Sequence, residues 1–128
     1  MKSLPRSLRT LLLAVVTCVA LGSVSAADQP RPESLPAGLN MYVIERTMPG
    51  LGKLTPAELK SASQTSCGVL RDLEGQVTWL HSYCTGDKMY CVYLAPSEAL
   101  VREHARRGGF PADSVLKVNT IISPKTAE

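Results

Sequence analysis

Residues 80–93, LHSYCTGDKMYCVY, read as the arms of two strands joined by a tight turn, and the fold follows from that reading. Residues 76–84 alternate, with Val77, Trp79, His81 and Tyr83 on one face and Thr78, Leu80, Ser82 and Cys84 on the other. Thr85-Gly86-Asp87-Lys88 supplies the turn. Residues 89–95 return, with Met89, Cys91 and Tyr93 on one face and Tyr90, Val92 and Leu94 on the other. If Gly86-Asp87 is the two-residue turn, Thr85 pairs with Lys88, Tyr83 with Tyr90 and Ser82 with Cys91. Cys84 and Cys91 then sit diagonally, a poor geometry for a disulfide.

Outward from this hairpin the punctuation is regular. Residues 41–48, MYVIERTM, are rich in β-formers and end at Pro49-Gly50, a first strand. Thr55-Pro56-Ala57-Glu58 opens a helix with a hydroxyl cap, proline in the first position and the glutamate of a capping box. Its apolar and small positions, Leu59, Ala62, Ser63, Ser66, Cys67, Leu70 and Leu73, recur at threes and fours, which puts Cys67 on the buried stripe; Gly75 ends it. After the hairpin, Pro96-Ser97 begins a second helix with Leu100, Val101, His104, Ala105 and Gly108 inward, stopped by Gly108-Gly109. Residues 115–122 supply a last strand before Pro124.

The order βαββαβ is the ferredoxin-like arrangement, an α+β fold whose antiparallel sheet carries both helices on one face. The other face, bearing Trp and Tyr, is too apolar for solvent. Two subunits are expected to meet there as a homodimer, in the manner of a dimeric α/β barrel.

The first quarter of the chain has a different character. Lys2, Arg6 and Arg9 precede an apolar run over residues 11–21, and Val24-Ser25-Ala26 offers small residues for cleavage. Residues 1–26 therefore read as a signal peptide, which makes the protein periplasmic or secreted, with no stable membrane span after cleavage. Residues 27–39 are a proline-rich tether, residues 40–123 the ferredoxin-like domain and residues 124–128 a C-terminal tail. The formal charge of +3 comes from the export signal, and the remaining chain is neutral. Nothing supplies the basic field that nucleic acid requires.

Three chemistries compete for the polar residues. If the helices cover the Cys91 face, Cys91 approaches Cys67 and His104, two thiolates and an imidazole suited to a soft or borderline divalent metal, with Glu45 as an oxygen donor should its face permit. No CxxC or HxxxH spacing reinforces that set. A small-molecule or enzymatic pocket on the dimer face, as in monooxygenases and isomerases of this fold, would use His81, Tyr83 and Tyr90 beside Trp79. No nucleophile elbow, phosphate loop or paired-carboxylate motif supports catalysis. In the plainest reading the cysteines and His104 are core, Arg106-Arg107 is a solvated helix end, and Glu45-Arg46 is an ion pair at a strand edge.

The segments YVIERTMPG, LTPAELKSASQTSCGVLRDL, WLHSY with TGDKMYCVY, and REHARRGGFPADSV resemble a family of small bacterial ferredoxin-like proteins, one branch of which is nickel-binding. The resemblance covers nearly all of the domain from Met41. It implies nickel or a similar divalent ion, held for sequestration or handling, and marks Glu45, Cys67, His81, Tyr83, Cys91 and His104 as the positions that matter. Leu94 stands where relatives tend to carry an acidic residue, Cys84 where a hydrophobic one is common, and the export signal is a further departure.

Overall fold

The computed structural model describes residues 35–128; the expected signal peptide, and the tether as far as residue 34, lie outside the described residues. The chain runs β1 (Asn40–Thr47), α1 (Pro56–Asp72), β2 (Thr78–Cys84), β3 (Lys88–Ala95), α2 (Glu98–Gly108) and β4 (Ser114–Lys117). The strands form one antiparallel sheet in the order β2-β3-β1-β4, so the expected ferredoxin-like α+β arrangement is what the residues build. None of the described helices is long and apolar enough to cross a membrane.

Each element forms for reasons already visible in the chain. In β1, Tyr42, Ile44 and Arg46 are buried while the residues between them are half-exposed, the period of two of a strand covered on one side. Thr55 caps α1: its hydroxyl accepts from the Glu58 amide at 3.3 Å, and its own amide donates to Glu58 Oε2 at 2.7 Å. Ser97 caps α2, and Gly109 ends it in the left-handed conformation at φ 69°, where a Cβ would be strained. The β2–β3 turn closes with the Thr85 amide on the Lys88 carbonyl at 2.9 Å, and its tip is tied to the loop after β1 by the Gly52 amide on the Gly86 carbonyl, also 2.9 Å.

Both helices cover one face. Val69 of α1, Leu73 at its C-terminal cap and Val101 of α2 join Tyr42, Ile44, Cys91, Tyr93 and Val115 of the sheet in one core. Ile44 and Val101 are wholly buried, and each such side chain contributes about 1.5–3 kcal/mol. The outer side of α2 is laced by ion pairs of Arg102 with Glu98 and of Arg106 and Arg107 with Glu103.

Three expectations require correction. The stripe of α1 is centred on Ser66, Val69 and Leu73, so Cys67, about 100° further round the helix, is exposed. In β2 the register slips between Trp79 and His81: Trp79 lies opposite Tyr93, His81 opposite Val92, and Leu80 is the extra residue. This bulge splits the expected shared face, sending Trp79 to the helix side and leaving His81 and Tyr83 on the uncovered side. The last strand is shorter than residues 115–122, because its partner runs out: Lys117 pairs with Tyr42, the Val118 amide reaches the Met41 carbonyl, and β1 begins at Asn40. Ile121 and Ile122 are left exposed.

Candidate functional site

The residues singled out in the sequence fall on opposite sides of the sheet. On the uncovered side, His81 is exposed, and its ring meets Tyr83 edge-on at 5.0 Å between centroids. Tyr83 lies opposite Tyr90, as expected from the turn, and Tyr90 lies opposite Glu45. Glu45 forms an ion pair with Lys88. His81 and Glu45 are separated by β3, so at about 4.8 Å per strand spacing they stand roughly 10 Å or more apart and do not converge within one chain. Met41, Val43, Val92 and Leu94 share this face by alternation, with Leu116 of β4, which is 63% exposed.

On the helix side, Cys91 and His104 are buried as expected, but Cys67 does not join them. Ser66 takes its place, with Oγ at 3.1 Å from His104 Nε2. Among the described residues no three of His, Cys, Asp and Glu gather into a group that would hold a metal ion. All three described cysteines are free, and Cys84 lies opposite Met89, diagonal to Cys91.

The centre of this buried group is Arg46, which the sequence reading had paired with Glu45 at a strand edge. β1 is an inner strand, and successive residues face opposite sides, so Glu45 points out and Arg46 is driven beneath the helices at 1% exposure. Its Nε donates to Cys91 Sγ at 3.3 Å, and Nη1 donates to the Pro111 carbonyl. Nη2 has no partner among the described residues, nor does His104 Nδ1. Phe110 closes the group, its ring 5.5 Å from the guanidinium carbon and 6.1 Å from the His104 ring centroid. The sequence signal for Arg46 was its register with Tyr42 and Ile44.

Electrostatics sets what this group can hold. Burial, reinforced by the Arg46 cation, keeps His104 below the ordinary histidine pKa and hence neutral. Burial pushes the Tyr93 phenol up, against the lowering pull of Ser66 and Arg46, so the phenol stays protonated. A buried guanidinium bonded to Cys91 repels a second cation at that sulfur, so Cys91 and His104 are poorly suited to a divalent metal.

A cavity of about 190 Å³ lies between α1 and β2–β3 beside this group. Leu59, Ala62, Ser63 and Ser66 line it from the helix, and Arg46, Met89, Cys91 and Tyr93 from the sheet. Trp79, placed inward by the bulge, also lines it and donates from Nε1 to Ser82 Oγ at 2.9 Å.

Residues 42–118 match the family described as nickel responsive protein SCO4226-like. The chain is also similar to the crystal structure of SCO4226 from Streptomyces coelicolor A3(2), with 22% identity, 64% of this chain and 99% of that chain covered, and a TM-score of 0.55. That likeness bears on the fold. Among curated proteins nothing matches.

Proposed function

This chain belongs to the SCO4226-like family of nickel responsive proteins, and from that premise we propose that it is an exported protein that binds nickel or a similar divalent transition metal for sequestration or handling. The metal is held on the uncovered face of the sheet, between two copies of the chain.

The observation that carries the location is the exposure of His81 on that face. The chain has two histidines, and the other, His104, is sealed beside a guanidinium. Imidazole and carboxylate both suit nickel, but one chain presents His81 and Glu45 too far apart to share an ion. A second copy placed on the same face brings a second His81 and Glu45. It also covers Met41, Val43, Val92, Leu94 and Leu116, an apolar surface that water tolerates poorly.

The test is nickel per chain after incubation with nickel chloride and desalting, with molar mass measured in solution beside it. We expect stoichiometric nickel in the wild type and in Cys91→Ser, a loss of about tenfold or more in His81→Ala, and a monomer with little nickel in Leu116→Arg. Leu116 is well exposed, so that variant should fold. Nickel kept by His81→Ala but lost by Cys91→Ser would move the site under the helices, and none in the wild type would end the metal reading. Export is tested separately: protein recovered outside the cytoplasm should begin at Ala27.

A further inference from the structure

Arg46 carries a full charge at 1% exposure, and none of the ion pairs among the described residues involves it. Its hydrogen bonds go to the Cys91 sulfur and the Pro111 carbonyl, and Nη2 has no partner among the described residues. Asp113 is a carboxylate that feels this charge, but the two form no ion pair, and desolvating a cation so incompletely compensated is costly. A water molecule on Nη2 would supply a hydrogen bond but no charge.

The space beside it has a definite cause. The inward side of α1 carries Ala62, Ser63 and Ser66 where larger aliphatic residues would have filled the gap to the sheet. The resulting cavity has apolar walls from Leu59, Met48, Met89 and Trp79 and a few polar groups among them, the pattern of a small-ligand site. Its volume exceeds the roughly 150 Å³ of an engineered cavity that accepts benzene.

We propose that this cavity binds a small organic acid, its carboxylate paired with Arg46 and its single ring or short chain lying against Trp79, Met48, Met89 and Leu59. Guanidinium and carboxylate match in charge and in planar, two-pronged geometry. The Tyr93 phenol, within reach of Ser66 and Arg46, is a further donor in the lining. Phe110 also lines the cavity, with the guanidinium carbon 5.5 Å from its ring centroid. This site is on the opposite side of the sheet from His81 and stands independently of metal binding.

Trp79 is the single tryptophan of the chain and lines the cavity, so its emission reports occupancy directly. The probes are benzoate and its uncharged analogue benzyl alcohol. Benzoate should give a saturable change below about 10 mM, and benzyl alcohol should bind about tenfold or more weaker. Arg46→Gln should weaken benzoate by about tenfold or more. Ala62→Leu, which fills the cavity from the helix and leaves the guanidinium intact, should abolish the response even if Arg46→Gln does not fold. No saturable response in the wild type would overturn the proposal. So would equal binding of the two probes, or benzoate binding unchanged in Ala62→Leu.

Discussion

Truncating Phe110 to alanine should cost about 3 kcal/mol of stability, read as a lowered midpoint in urea at unchanged slope. The figure is the low end for such a truncation for two reasons. The ring is only half-buried, and its loss lets water reach the Arg46 guanidinium and the His104 ring that it covers. Gly108→Ala should show part of the same effect. A Cβ there would lie 2.4 and 2.6 Å from two Phe110 ring carbons, so the ring must leave its place, while alanine recovers about 1 kcal/mol of helix propensity. If Phe110→Ala costs less than about 1 kcal/mol, the ring is not what holds the end of α2 against β1.

The second large effect is a loss of stability between neutral and mildly acid pH. The folded pKa of His104 lies below its unfolded value of about 6.5, because burial and the Arg46 cation disfavour the imidazolium. Above 6.5 the ring is neutral in both states and pH does nothing. Below it the unfolded chain takes up a proton that the folded one refuses, so stability falls with a limiting slope of about 1.4 kcal/mol per pH unit until the folded value is reached. Arg46 from β1, Tyr93 from β3, Ser66 from α1 and Phe110 lie about the ring, and the charge that acts on it among them is the Arg46 cation. The exposed carboxylates act lower down: Arg106 and Arg107 bring Glu103 to about 2, so what it contributes is present above about 4.3 and lost as pH falls through its folded value. Denaturation midpoints from pH 7 to 5 should therefore decline in the wild type and stay nearly flat in His104→Gln. Equal slopes in the two proteins would show that another group sets the decline.

How much of this fold shows in the chain depends on the kind of signal each feature leaves. The capping box at Thr55, the stop at Gly109 and the pairing of Tyr83 with Tyr90 each rest on local chemistry, and each is found where that chemistry puts it. The bulge at Leu80 leaves no such trace, because an inserted residue in a strand reads as unbroken alternation until its partner is known. That one residue moved Trp79 to the cavity and separated it from His81. The stripe of α1 reads one position too wide because Ser66 and Cys67 are both small, and only the packed neighbour, His104, distinguishes them. Arg46 was overlooked because a charge beside a glutamate suggests a surface pair, although its place two residues beyond Ile44 points inward.

The two margins of the sheet have a consequence for handling the protein at high concentration. A strand arriving at β2 would find a ladder interrupted at Leu80, and one arriving at β4 would find only the short run Ser114–Lys117. Neither edge offers a long template for adding further chains, whereas face-to-face pairing closes once two copies have met. Were two copies to pair through this face, the assembly would stop at a finite particle, and fibril growth would first have to rebuild an edge.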